Sequence, residues 1–467
     1  VTRAQHEVVR MFLLLFVMLA VARLCHSGIL WAEEGLPLAA ARQILDGKVL
    51  YRDIWFDKPP LLAYLYLAWG AAAGWPLRLA GALYDLLACW LAFGAARRLW
   101  GEREGRIAAS LLAFFLIFGV PSAVTPLAAD LLTLAPHLAA IALAVSGRPF
   151  GAGALAGVAF LINPKALLIL LACAVWTPAG SLAIAGGFAA ACAVAAAAMA
   201  SAGALGPCID QVWHWGRLYA TSTFVANPVR NAVLRTLNWA GFHVALLAAT
   251  GVALRAEKRR LVWALWLALG IVAAAAGMRF FPRYFFQLLP VLVLLAARGF
   301  ALLPRRTALA LGLLLAIPLV RFGPRYALLA TGRSDAWADT AMDRDSRAAA
   351  GKVVHMAAQG DTLFVWGFRP ELYAYTRLPA ASLYLDSQPL TGVPADRHLF
   401  DSGPVDPDSA RLRRAAVAGT APTFILDGLG LYNPALAITQ YEDLRPWLSH
   451  YREVARTAGT VVYQRVR

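Results

Sequence analysis

WAEEGLPLAAARQILDGKVLYRDIWFDKPPLLAYLYLAWG, residues 31–70, follows directly on an apolar run, Met11 to Leu30, long enough to cross a bilayer. The carboxylates Glu33 and Glu34 therefore stand where the chain first leaves the membrane. A short amphipathic helix is expected next, starting near Pro37 and stopping at Gly47, with Pro in its first turn and Gly just past its end. Aromatics and acids follow, then Lys58-Pro59-Pro60. Carboxylates at a membrane surface with a basic residue close by suit chemistry on a lipid-borne phosphate.

Composition extends this reading to the whole chain. Of its 467 residues 60% are hydrophobic and 15% charged, where a soluble domain carries about 25% charge. Apolar runs recur at 11–30, 78–97, 107–120, 126–145, 149–162, 164–178, 180–202, 239–254, 261–278, 283–299 and 306–322. The expectation is a polytopic α-helical membrane protein with about eleven spans and additional interfacial helices. Met11–Leu30 is longer than a signal core, and Cys25-His26-Ser27 offers no small-x-small cleavage site, so it reads as a retained helix.

The formal charge of +16 lies largely in short loops between apolar runs. With the N-terminus in the cytoplasm, Arg3 and Arg10 fall on the same side as Arg97–Arg106, Arg148, Arg255–Arg260 and Arg298–Arg306. That pattern is a topology signal and an affinity for anionic lipid, and nucleic acid is set aside as a partner. Pro59–Trp75, short and rich in Tyr and Trp, is expected as an interfacial or re-entrant helix on the outer face. The five cysteines show no CxxC or metal-type spacing.

Residues 1–322 are thus expected to form a transmembrane domain with outer loops 31–77 and 203–238, and residues 323–467 a small soluble extracytoplasmic α/β domain. Within the latter, Ala336–Ala358, Pro370–Tyr375 and Arg411–Ala418 read as helices. Asp361–Trp366, Thr423–Leu426 and Val461–Gln464 read as strands.

Glu33 and Glu34 beside a helix N-terminus are favoured in their charged form, which suits a base or a metal ligand. Neighbouring residues diverge by about 100° on a helix, so one is expected to act on substrate while the other holds a partner. Simple capping by both is the competing reading. Asp130, in TPLAADLLTLAP, is an ionisable residue within an apolar run and so a functional candidate. Asp85 and His137 are expected to be structural. Lys58, Lys165, Arg279 and Arg283 fall at outer boundaries, where four cations could cradle a phosphate or merely snorkel. Lys165 stands out because Asn163-Pro164 breaks the run beside it. His214, between Trp213 and Trp215, suits metal or phosphate binding, or anchoring at the interface. The residues commit to no cofactor and leave metal dependence open; a divalent ion would have Glu34, Asp130 and His214 as its candidate ligands. The chain has no P-loop, HExxH or nucleophile elbow, so ATP-driven transport has no engine in it.

The order of these features resembles the family 39-type glycosyltransferases of the GT-C superfamily, whose relatives include protein O-mannosyltransferases and bacterial aminoarabinose transferases. The resemblance rests on the acidic pair, AAARQIL-DG-KVLYRD, DKPPL, TPLAAD, LINPKALL and RFFPRYFFQLLP across residues 10–300, with FVWGFRPELYAYT at 364–376. It implies transfer of a sugar from a polyprenyl-phosphate donor to an extracytoplasmic acceptor, whether lipid, glycan or protein. It also implies a bacterial inner-membrane location and inversion at the anomeric carbon. The family's first-loop acid falls on Glu33 or Glu34, its second acid on Asp130, and its Lys-Pro lysine on Lys58. Many relatives have Asp-Glu at the acidic pair, so Glu33 is a longer substitute. Arg283-Tyr284 stands where relatives often have His-Tyr, which implies phosphate binding without a histidine ligand. The alternatives are a transporter or flippase for a lipid-linked saccharide, and a non-catalytic membrane scaffold.

Overall fold

The structure is a computed structural model that describes residues 3–222, 227–333, 337–396 and 403–466. The chain forms two compact units. The first comprises Val1–Gly28, Trp75–Ala197 and Phe224–Arg333; the second comprises Ile29–Gly74, Ala198–Thr223 and Ser334–Arg467.

The first unit is helical. It opens with α1 (Arg3–Leu24), and each of the apolar runs read from sequence contains a helix. Among the described residues three helices are long and apolar enough to cross a membrane: Trp75–Leu99, Pro178–Ser201 and Arg305–Ala330. A fourth arises if Pro228–Phe242 and Val244–Ala256, bent by 83°, count as one broken span. Six other apolar helices are shorter, including Pro149–Phe160, Pro164–Trp176 and Leu289–Leu302. They shorten where Asn163-Pro164, Thr177-Pro178 and Phe281-Pro282 interrupt the hydrogen-bond ladder.

Small residues set the helix contacts. A Cβ at Gly153 would collide with the carbonyl of Ile184, one at Gly187 with that of Phe150, and one at Gly299 with that of Ala249. Backbones that approach so closely gain dispersion contacts, which drive helix association where the surrounding lipid is as apolar as the helix. Deeper in this unit Asp85 accepts two bonds from Arg23, at 2.5 and 3.0 Å. Arg23 also donates to the carbonyls of Val124 and Thr125. Asp85 is therefore a structural counter-ion, and His137, which accepts the indole N–H of Trp266 at 3.1 Å, is likewise committed to packing.

The second unit joins α2 (Ala32–Leu45) to a four-stranded sheet. The sheet has the order β1 (Leu363–Trp366), β2 (Phe424–Asp427), β4 (Val461–Arg465), β3 (Tyr451–Arg456). β1 and β2 pair in parallel, Leu363 with Phe424 through Trp366 with Asp427, and both are buried throughout, apolar except for Asp427 at the end of β2. β4 runs antiparallel to both β2 and β3. The helices Ala338–Met356, Glu371–Thr376 and Pro407–Ala418 accompany it; the expected helix start at Ala336 lies outside the described residues. The edge strand β3, YREVAR, was not anticipated, because a charged, half-exposed strand with a bulge between Glu453 and Ala455 carries little apolar signal. The core of this unit takes in Trp55 and Trp215 together with Phe364, Trp366, Ile425 and Trp447.

The acidic helix departs from expectation. α2 begins at Ala32 rather than near Pro37, so Glu33 and Glu34 lie in its first turn. Trp31 occupies the cap position, and its backbone N–H reaches back to Glu34 Oε2 at 3.4 Å. The glutamate supplies the return half of a capping box, while Trp31 fills the place of the Ser, Thr or Asp that announces a helix start in sequence.

Candidate active site

The first unit assembles a polar cluster from three breaks in its helices. Asp130 sits in the short helix Ala129–Leu132, Asn163 and Lys165 at the interruption before Leu167–Trp176, and Arg283 and Tyr284 in the turn Pro282–Gln287. Asn163 is the organiser. Its side-chain oxygen accepts from the backbone N–H of Lys165 at 3.1 Å, and its amide donates to Asp130 Oδ1 at 3.0 Å. One residue thus caps the turn and orients the carboxylate.

The cations approach that carboxylate without closing on it. Lys165 Nζ lies 3.9 Å from Asp130 Oδ1, and Arg283 Nε lies 3.6 Å from Oδ2. Both separations are too long for hydrogen bonds. Lys165 Nζ rests 3.0 Å from the centroid of the Tyr284 ring and is buried with no hydrogen-bond partner. The Arg283 guanidinium carbon lies 5.7 Å from the same centroid and 5.1 Å from that of Phe281. Arg279 is buried, close enough to act on the charge of Lys165, and its carbonyl accepts from Arg235 at 2.5 Å. Two cations therefore face one carboxylate, and Arg279 acts on the nearer of them in the chain, Lys165. A desolvated ammonium on an aromatic face gains about 2 kcal/mol from the ring, yet its hydrogen-bonding capacity stays available for an anion. The structure brings together Asp130, Lys165, Arg279, Arg283 and Tyr284 as one cluster.

Glu33, Glu34, Lys58 and His214 lie in the second unit, in three separate surroundings. Glu34 is fully buried and tied to the helix cap, whereas Glu33 is half-buried. Lys58 Nζ pairs with Asp57 Oδ2 at 2.7 Å, its side chain 41% exposed, with the Tyr219 ring centroid 5.6 Å away. The other oxygen of Asp57 is buried without a hydrogen bond. Near it is Asp386, whose carboxyl burial pushes up to about 8, with the charge of Asp57 adding to the shift. His214 bonds Asp210 at 2.8 Å, and both side chains are largely exposed. Trp215 turns inward against Trp55, with ring centroids 6.1 Å apart.

Among the described residues no three His, Cys, Asp or Glu side chains converge as a metal would require. Among the described residues Glu34, Asp130 and His214 do not form a ligand set. Asn163, Asp57 and Asp386 were not picked out from sequence. Asn163 carried a signal, as the residue at the break before Pro164, and Asp57 as the neighbour of Lys58; Asp386 carried none.

No protein-family model and no curated protein sequence matches the chain. Among solved structures, ArnT from Cupriavidus metallidurans bound to undecaprenyl phosphate superposes with a TM-score of 0.59 at 17% identity, covering 98% of both chains. The fold is that of ArnT. The same ArnT in the apo state gives 0.57 at 18% identity, covering 100% of this chain and 99% of the other. The motif resemblance to aminoarabinose transferases is met at the level of fold.

Proposed function

We propose that this protein is an integral membrane glycosyltransferase that moves a sugar from a polyprenyl-phosphate donor to an acceptor outside the cytoplasm. The observation that carries this reading is the buried ammonium of Lys165, which has no hydrogen-bond acceptor of its own and stands among Arg279, Arg283 and a single carboxylate. Such a site suits an anion with several acceptor oxygens, and a phosphate ester supplies them. The shared fold supports the lipid-linked form, since ArnT was solved with undecaprenyl phosphate. The wider setting proposed with it is a bacterial inner membrane, an N-terminus in the cytoplasm, about eleven helical crossings ending with the helix Arg305–Ala330, and the rest of the chain outside as the soluble domain.

Lys165, Arg279 and Arg283 bind the donor phosphate and stabilise the charge that grows on it as the glycosidic bond breaks. Tyr284 holds Lys165 in place through its ring; Lys58, paired with Asp57 in the second unit, is the further cation proposed for phosphate. Asp130 keeps the two nearest cations apart and oriented. Glu33 is the base: it takes the proton from the acceptor hydroxyl or amine, which attacks the anomeric carbon opposite the phosphate and inverts it. Glu34, occupied at the helix cap, positions that turn. The leaving polyprenyl phosphate is a stable anion, so no strong general acid is needed.

The test uses the full chain in lipid with radiolabelled polyprenyl-phosphate sugars and membrane extract as acceptor source. Glu33→Gln, Glu34→Gln and Asp130→Asn are run beside the wild type. Transfer that Glu33→Gln abolishes supports the reading. Full transfer by Glu33→Gln overturns the base assignment, and donor binding without transfer by the wild type favours carriage of the lipid over chemistry on it.

A further inference from the structure

In the second unit α2 is held by one short stretch of chain, residues 370–380. At its N-terminal end Gly35 meets Glu371 and Pro370. A Cβ built on Gly35 would lie 3.1 Å from Glu371 Oε2, 3.2 Å from Glu371 N and 3.3 Å from Pro370 Cγ. Just over two turns later Gln43 Oε1 accepts the backbone N–H of Ala380 at 2.9 Å, and Lys48 Nζ donates to the carbonyl of Ala380 at 2.6 Å. Two contacts that far apart fix a helix in rotation as well as in position.

Glu371 itself is immobilised from behind. Its Oε1 accepts from Ser346 Oγ at 2.5 Å and from Arg369 Nε at 3.1 Å. Arg369, fully buried, donates further to Asp345, Thr460 and the carbonyl of Met342. Glu371 Oε2, buried and without a hydrogen bond, is the atom that faces Gly35. An oxygen left in this state in an otherwise satisfied network calls for an explanation. Its position against Gly35 supplies one, because this oxygen is part of the surface on which the first turn of α2 packs.

We propose that the C-terminal α/β domain sets the aim of the acidic helix, with Glu371 as the positioning residue and Gly35 as the site it bears on. Helix geometry makes the consequence specific. Glu33 precedes Gly35 by two residues, about 200° around the helix. Pressing the Gly35 face onto Glu371 and Pro370 turns Glu33 away from the domain, which accords with a buried Gly35 and a half-buried Glu33. Glycine allows this approach without strain, whereas a Cβ here would make α2 or its neighbours Glu371 and Pro370 give by a few tenths of an ångström. This inference rests on the assignment of Glu33 as the base.

The experiment uses the full-length protein in lipid, with Gly35→Ala, Glu371→Gln and Glu371→Ala. Two quantities are read: amide exchange of residues 32–45 against that of β1 and β2, and kcat and KM for the labelled donor. Gly35→Ala and Glu371→Ala are expected to lower kcat about tenfold or more, as misplacement of a reacting group does, with KM for the donor within about twofold. α2 should exchange faster while β1 and β2 stay protected. Glu371→Gln, which keeps the shape and the Oε1 acceptor, should restore most of kcat. Wild-type kcat together with unchanged α2 exchange in Gly35→Ala overturns the proposal, as does loss of protection in α2 and the strands alike in Glu371→Ala. Should the wild type transfer no sugar, the assignment of function falls, and the exchange measurement still decides whether the domain holds α2.

Discussion

Arg369 in the second unit and Lys165 in the first are both cations buried within the protein, and they are held in opposite ways. Arg369 donates to Ser346, Glu371, Asp345, Thr460 and the carbonyl of Met342 at separations from 2.5 to 3.3 Å. Lys165 has a carboxylate at 3.9 Å, an aromatic ring beneath it and no hydrogen bond. A cation whose donors are all answered from within the chain has nothing left to offer a ligand. One that is desolvated and unanswered costs the fold free energy, and an anion can return it. Completeness of hydrogen bonding, rather than burial, separates the structural charge from the binding charge.

The largest effect should come from the answered cation. Arg369→Met leaves Asp345 and Glu371 buried without their partner, which costs about 3–5 kcal/mol. Amide exchange of β1 and β2 should show the sheet opening by that amount, and a loss below about 1 kcal/mol would break the comparison. The unanswered cation should behave in reverse. Lys165→Met is expected to leave thermal stability unchanged or raised, while transfer from the lipid-linked donor falls by about 10²–10³, as on removing an oxyanion donor. A variant that melts at lower temperature yet transfers at the wild-type rate below its melting point would place Lys165 with Arg369 among the structural charges.

This distinction marks the limit of what the sequence made legible. The helices of the first unit followed from apolar runs, and the Asp130 cluster from ionisable residues beside Pro-marked breaks, because each break carries its own local signal. Arg369 is the counter-example. It sits in FVWGFRPEL between a strand and a helix, where a basic residue reads as surface. Its partners Asp345, Ser346 and Thr460 are dispersed along the chain. The start of α2 was misplaced because Trp31 is no ordinary cap, and β3 was missed because its residues are mostly polar. Local punctuation was readable; satisfaction of buried charge is a property of the assembled fold.

Asp386 provides an intermediate case that sharpens the comparison. It is buried, accepts one bond from the backbone N–H of Gln388 at 2.9 Å, and faces Asp57, Asp396 and Lys58. Burial first, then the charge of Asp57, raises its carboxyl from 3.8 to about 8. Between those two values the folded protein keeps a proton that the unfolded chain has lost. Stability from this group is therefore present at low pH and declines as pH rises through the window, by about 1.4 kcal/mol per unit at most. Asp386→Asn should remove the decline. Thermal unfolding at pH 5, 7 and 9 should show the variant gaining on the wild type at each step, and parallel curves would mean that Lys58 already answers the charge.

The smallest effect is expected where charge is exposed. His214 and Asp210 bond at 2.8 Å, one helical turn apart, with side chains 71% and 68% exposed. Water answers both groups in the folded and unfolded states alike, so the pair adds only about 0.3–0.5 kcal/mol. His214→Ala should therefore move neither the melting temperature nor transfer beyond error, even though its residue type made it the natural metal or phosphate ligand of this loop. A loss of transfer in that variant, with stability intact, would show that an exposed and paired histidine can still meet the substrate. Incomplete hydrogen bonding within the chain would then be a sufficient mark of a binding charge in this fold, but not a necessary one.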